Sequence, residues 1–387
     1  MKVTQICIGR FHHFHLARQL EKHNLLDNIY TGYPKFKLRD EEGIPKGKIK
    51  NFPWFHTPYM FLLNKGIRKS SWLTEELSWI AHDSLDKHVA SSLKNPGVTV
   101  SLSSTGLHAG RKTQALGGKY ICDRGSSHIT FQDNILKEEY EKWGLTYQGI
   151  DKRIIEKELD EYQQADAITV PSEFVRQSFL SLGVPENKVR KVIYGARLER
   201  FSRLQDPEKN KFTVLWVGAV TLRKGFIYLL RAFQQFSHPN KEFLVIGQVS
   251  KEVKLLLGHE SLDHVRFLGQ VANESLPSIY SSAHVFALSS IEEGLALVQG
   301  EAMACGCPII ATPNTGSEDM ITDGREGFVI PIRSSEAIQV RLQRLADEPL
   351  LRDQMGENAL EKVKSLGGWD QYGANYVRTI KSLLANQ

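Results

Sequence analysis

Cysteine is scarce in this chain: Cys7, Cys122, Cys305 and Cys307 are the only four among 387 residues. They show no disulfide framework, and the one-residue gap between Cys305 and Cys307 fits no usual zinc pair. Cys7 and Cys122 lie in strand-like runs and read as small buried hydrophobes. The expected compartment is therefore the reducing cytoplasm. No window reaches the eighteen or so apolar residues of a membrane span. The apolar run near the N-terminus is too short for a signal-peptide core, and no small-residue cleavage site follows it. A short-period repeat and a low-complexity tract are also lacking, which excludes a solenoid. These absences predict a soluble protein, at most peripheral to a membrane.

What is present is an ordinary globular composition, 41% hydrophobic and 24% charged, in a chain long enough for two sizeable cores. The formal net charge of +5 is unevenly placed. Through Arg203 there are 31 Lys+Arg and 23 Asp+Glu, against 18 and 21 in the remainder. The basic half suits an acidic acceptor or an anionic membrane surface, or serves solubility alone. Within it, the stretch 51–80 interleaves Phe52, Trp54, Phe55, Tyr59, Phe61, Trp72 and Trp79 with Lys65, Arg68 and Lys69. Such a mix is found at membrane interfaces, in acceptor pockets and at domain edges. No nucleic acid partner is expected.

Strand-like and helix-like stretches alternate throughout. Strands are predicted at 3–9, 98–103, 119–123, 167–171 and 189–194, and again at 212–217, 242–246, 265–268 and 285–288. Contiguous apolar strands separated by helices argue for parallel, doubly wound sheets. Two such series predict two Rossmann-like domains. The break falls in the charged stretch 199–211, which contains Asp206-Pro207. The expected division is 1–203, 210–366 and a final helical segment, 367–387.

The most informative stretch is Ser289–Pro308, in which Glu293 and Glu301 stand eight positions apart across a loop entering a helix. It contains Gly294 and the string Glu-Ala-Met-Ala-Cys-Gly-Cys-Pro. Gly316-Ser317-Glu318-Asp319 follows as a second turn-to-helix entry. The stretch resembles the glutamate-x7-glutamate signature of retaining glycosyltransferases of family 4. That resemblance implies the GT-B fold, two Rossmann-like domains facing a cleft, with the last helix crossing back to the first domain. It implies that Glu301 accepts the ribose hydroxyls, that Glu293 contacts the sugar, and that the helix start at Gly294, Leu295, Ala296 and Leu297 aims amides at the sugar–phosphate. Glu318 is expected to be a supporting or capping group. By charge alone, the two glutamates could simply complement a helix dipole.

Ligands in open α/β sheets bind beyond the carboxyl ends of strands. After 212–217 comes Gly218-Ala219-Val220-Thr221-Leu222-Arg223-Lys224-Gly225. Its glycines admit close approach, and its adjacent cations at a helix start suit a diphosphate. The loop resembles the family's Arg/Lys-Lys-Gly loop, which makes Lys224 the phosphate ligand. Ala219 stands where the family commonly has an arginine, and Arg223 is expected to substitute. Gly247 and Val271 lie on loops that flank the nucleobase in the family.

In the first half, Gly9 opens a loop that is glycine-rich in the family but here reads Gly9-Arg10-Phe11-His12-His13-Phe14-His15. These side chains are expected to line the cleft. The clustered imidazoles invite a metal, but no other cluster supplies a fourth ligand, so none is expected. Asp123 and His128 lie on the loop that meets the sugar in the family, and both are candidate catalytic groups. Arg197 replaces an aspartate found at the family's hinge.

The resemblance implies transfer of a hexose-type sugar from a UDP- or GDP-sugar to a glycan, lipid or small-molecule acceptor, with retention. No cofactor beyond the nucleotide sugar is expected. A nucleotide-sugar epimerase and a non-catalytic nucleotide-sugar binding protein stay open as alternatives.

Overall fold

A computed structural model describes residues 2–64, 71–196 and 199–385. Arg197 and the cations Lys65, Arg68 and Lys69 lie outside them. The first sheet has seven parallel strands: β1 (Val3–Cys7), β2 (Leu26–Thr31), β3 (Ile49–Asn51), β4 (Val98–Leu102), β5 (Lys119–Asp123), β6 (Ala167–Val170) and β7 (Val189–Lys191), in the order β3-β2-β1-β4-β5-β6-β7. The second has six: β8 (Phe212–Val217), β9 (Lys241–Ile246), β10 (Val265–Gly269), β11 (Val285–Leu288), β12 (Ile309–Ala311) and β13 (Gly327–Val329), in the order β10-β9-β8-β11-β12-β13.

Both sheets reverse direction once, between β1 and β4 and between β8 and β11. A crevice opens beyond the strand ends at each reversal, where neighbouring loops turn to opposite faces. Central strands are apolar on both faces because helices cover both; every residue of β1, β6, β8 and β11 is buried.

Two elements join the halves. The helix Trp369–Ala385 follows Gly367-Gly368 and places Trp369, Tyr372, Tyr376, Val377 and Ile380 in the core of the first sheet. Asp370 accepts hydrogen bonds from Gln19 (2.8 Å) and Lys22 (2.7 Å), and the Trp369 and His15 rings stack at 3.8 Å. In the other direction, the helix Ile129–Lys142 lends Ile135 and Leu136 to the core of the second sheet. Its buried Glu139 accepts from Tyr228 Oη (2.9 Å) and Arg333 Nε (2.7 Å). Among the described residues, no helix is long and apolar enough to cross a membrane.

Candidate active site

The loop after β8 and the loop after β11 flank the switch point of the second sheet and are knitted together. Arg223 carbonyl oxygen accepts from Ile291 N (2.8 Å), and Arg223 Nη1 donates to Glu292 O (2.9 Å). Gly225 has φ 68°, and a Cβ there would come within 2.0 Å of Ser289 O. Only glycine combines that conformation with that approach. The contact fixes Lys224, the preceding residue, beside Glu293. Lys224 Nζ donates to Glu293 Oε2, and Arg223 Nη1 lies 3.5 Å from Oε1. Burial pushes the Glu293 carboxyl up, but the Lys224 ammonium and then the Arg223 guanidinium outweigh it and hold it below its usual value. Lys224, Arg223 and Glu293 thus form one partly buried cluster.

Gly218 and Gly247 both have φ 141°, and a Cβ on Gly247 would meet Gly218 O at 1.9 Å, so these two loop starts stack backbone on backbone. Val271 is half-buried on the neighbouring loop after β10. Glu301 is the fifth residue of the helix Leu297–Ala304, and Tyr280 Oη donates to it at 3.3 Å. Glu318 is exposed on the first turn of Ser317–Met320. Its neighbour Asp319 makes the tertiary contacts, accepting from Glu173 N (2.6 Å) and Lys191 Nζ (2.8 Å) of the first domain.

Glu292 is the residue that sequence reasoning passed over. It is fully buried, and its carboxylate crosses the domain boundary. It accepts from Ser127 N (3.1 Å), Ser127 Oγ (2.8 Å) and Gln132 Nε2 (2.9 Å), with Arg223 Nη1 at 3.4 Å on its own side. Arg124 holds the receiving loop in shape by donating to Ser127 O (3.0 Å), Ser103 Oγ (3.1 Å) and Gln132 Oε1 (2.8 Å), and by pairing with Glu158 (2.9 Å). Beside this latch the domains touch: a Cβ on Gly294 would lie 1.6 Å from Gly125 O, and Ser172 Oγ donates to Gly294 O at 2.7 Å.

His128 does not face the cleft. It is buried between Tyr162 and Phe179, and its Nδ1 accepts from Thr130 N at 3.2 Å, which caps the helix Ile129–Lys142. Burial and then the Arg124 charge lower its pKa to about 4, so it stays a neutral acceptor. The expectation of a catalytic His128 is corrected on that ground. Asp123 is also buried and acts at one remove. Its Oδ2 lies 2.5 Å from His12 Nε2 and 3.1 Å from His13 Nε2, while Thr169 Oγ1 donates to Oδ1 at 2.5 Å. Burial pushes Asp123 up, but the two imidazoles outweigh it and hold the carboxyl well below its usual range.

His12, His13 and Asp123 are the one group among the described residues whose ligand atoms could converge on a metal ion, lying within 4.8 Å of one another. His12 Nε2 hydrogen-bonds the carboxylate, whereas His13 Nε2 lies near the same oxygen and both His13 ring nitrogens are buried without a hydrogen-bond partner.

His12 is the member that reaches the cleft. With Phe11, Tyr194, Asn273, Leu295 and Leu297 it lines a cavity of about 740 Å³ between the domains. Phe11 stands at its mouth, 61% exposed and with φ 21°. Gly9 lies against it: a Cβ there would meet the ring of the exposed Phe11 at 2.6 Å, a contact relieved by turning the ring. Ala296, at the helix start, is buried behind Leu295 and Leu297.

Residues 199–362 match the family model of glycosyl transferases group 1. An uncharacterized glycosyltransferase of Methanocaldococcus jannaschii is 24% identical over 235 residues, 58% of this chain and 60% of that protein, so the alignment spans less than two thirds of the relative. Sucrose-phosphate synthase from Thermosynechococcus elongatus superposes with a TM-score of 0.71 over 100% of both chains at 19% identity. Anabaena HepE, solved with UDP and glucose, superposes with a TM-score of 0.70 over 99% of this chain and 100% of its own at 14% identity. The fold is GT-B. The match to glycosyl transferases group 1 covers less than half of the chain and falls on the second domain.

Proposed function

We propose that this protein is a retaining glycosyltransferase that moves a hexose-type sugar from a nucleotide diphosphate sugar to a glycan, lipid or small-molecule acceptor. The observation that carries this reading is the cluster of Lys224, Arg223 and Glu293 at the switch point of the second sheet, across the cleft from His12. Two cations on a glycine-flanked helix start are suited to a diphosphate. A diphosphate arriving there competes with Glu293 for Lys224, which frees the carboxylate for the sugar.

In the proposed reaction the bond from the anomeric carbon to the phosphate oxygen breaks, and its electron pair leaves on the nucleoside diphosphate. Lys224 and Arg223 offset that charge where it develops, so the reading needs no metal ion. The acceptor hydroxyl attacks from the same face, and its proton passes to the departing phosphate oxygen. Glu293 stabilises positive character on the sugar ring. A double-displacement scheme with paired carboxylates does not fit, because the second carboxylate, Glu301, lies within a helix and accepts from Tyr280. His12, oriented by Asp123, contacts the sugar or the acceptor from the opposite wall.

UDP or GDP is the proposed carrier; a UDP donor has support from the nucleotide held by HepE. Retention is tested by the anomeric proton coupling of the first product, read by NMR before mutarotation or on a blocked acceptor. An α-linked product from an α-configured donor is expected. A β-linked product removes the same-face step.

A further inference from the structure

We infer that the outer edge of the first sheet is a docking surface for an anionic lipid bilayer. A groove of about 1030 Å³ lies over β2 and β3, and the cations Lys35, Arg39, Lys46 and Lys50 line it with Phe36 and His88. No carboxylate lines it, and the four cations form no ion pair within the described residues. The one buried carboxylate nearby, Glu41, is already matched by Arg10 and Arg18. The groove shares no lining residue with the interdomain cavity, so it is a separate surface.

Aromatic side chains surround it. Among the described residues, every exposed Phe or Trp falls before residue 73. Phe36 is 57% exposed between Lys35 and Lys37, and Trp54 is 73% exposed four residues after Lys50. Packing links the groove to the next helix: Phe52 stacks on His88 at 4.5 Å, Lys37 sits 6.0 Å over the Tyr33 ring, and Tyr33 contacts the buried His56 at 5.7 Å, where the helix His56–Asn64 begins. Trp72 is exposed near the start of the next helix, Ser71–Ser92. Exposed, unpaired cations beside outward-facing phenylalanine and tryptophan match the mixed charge and aromatic character of a bilayer interface. Headgroup phosphates meet the cations, and rings sit at the carbonyl level. A soluble acidic glycan would also satisfy the cations, so a polyanionic sugar polymer enters the test as the competing ligand.

The test is co-sedimentation of the full chain with phosphatidylcholine vesicles, with and without 30% phosphatidylglycerol. It compares wild type with a quadruple variant, Lys35→Ser, Arg39→Ser, Lys46→Ser and Lys50→Ser. A control removes four exposed cations elsewhere: Lys209→Ser, Lys251→Ser, Lys254→Ser and Lys381→Ser. At about fivefold per cation near a charged surface, the groove variant is expected to lose about a hundredfold or more of its partition onto anionic vesicles. The control loses far less, Trp54→Ser weakens binding severalfold, and raising salt from low to high weakens it further. Equal partition onto neutral and anionic vesicles overturns the proposal. So does an equal loss in both quadruple variants, or groove-dependent binding of dextran sulfate without any binding of vesicles. None of these outcomes depends on whether the protein transfers a sugar.

Discussion

At the scale of single residues, adjacent carboxylates have been given opposite tasks. Glu293 points to the cations of the phosphate loop, and Glu292 points back across the domain boundary. On the proposed reading, Lys224→Ala removes a charge-assisted bond to the departing diphosphate, of about 1.5–3 kcal/mol. It is expected to slow turnover about tenfold to hundredfold or more. Wild-type rates at both limiting and saturating donor would remove Lys224 from that role. Glu292→Ala strands Gln132 and the Ser127 amide and leaves Arg223 with one acceptor fewer. Its cost is expected on the scale of breaking a buried charged contact, about 3 kcal/mol, seen as a lower urea midpoint. An unchanged midpoint would show that the latch contributes nothing. Glu293 and Lys224 could be singled out in the sequence because each sits in a short local string, and the structure sets them side by side. Glu292 could not, because its partners across the domain boundary lie 160 and more positions away. Asp123 and His128 shared one loop and looked alike; only the fold shows that one orients His12 and the other caps a helix.

At the scale of elements, the central strands could be read because burial on both faces leaves no polar alternation to confuse the pattern. β5, β8 and β11 fall at the predicted positions. β2 and β3 were missed: Leu26–Thr31 carries Asp27 and Asn28 at its start, and Ile49–Asn51 is a three-residue edge strand. The helix Ser71–Ser92 was missed as well, because polar and apolar residues are spread round its axis. Two elements hang on buried neutral histidines. His128 caps the helix Ile129–Lys142, and His284 Nδ1 accepts from Thr213 N (3.0 Å) between β8 and β11. Burial, followed by Arg124 for one and Arg352 for the other, lowers each pKa to about 4. The unfolded imidazole titrates near 6.5. As pH falls from 6.5 toward 4, the unfolded chain takes up protons that the folded one refuses, so stability present above 6.5 is lost. Each histidine is expected to remove about 2–3 kcal/mol by pH 4.5. Urea midpoints at pH 7 and 4.5 check this: His284→Gln should flatten the difference, and an unchanged difference would rule out His284 as a source.

At the scale of the whole molecule, the structure is a closed arrangement in which two switch points face each other. Gly125 and Gly294 meet backbone on backbone: a Cβ on Gly294 would lie 1.6 Å from Gly125 O, so the geometry tolerates no side chain there. Gly294→Val should hold the domains apart. The expected result is a larger radius of gyration by small-angle scattering and a severalfold or greater loss of turnover, with nucleotide binding to the second domain kept. An unchanged radius and rate would mean that this contact does not govern closure. The two-domain architecture was legible from the repeated strand series, and the return of the last helix, Trp369–Ala385, to the first domain followed from the resemblance; the reverse loan of Ile129–Lys142 to the second domain depends on tertiary contacts that no local string discloses. The most direct test of the central claim is nucleoside diphosphate release from UDP-, GDP-, ADP- and dTDP-sugars, with and without extracted cell glycans and lipids, beside Lys224→Ala. Release from one donor, stimulated by an extract and lost in Lys224→Ala, is the predicted result. Binding of a donor with no release from any, or its conversion to an isomer without acceptor, would contradict a transferase.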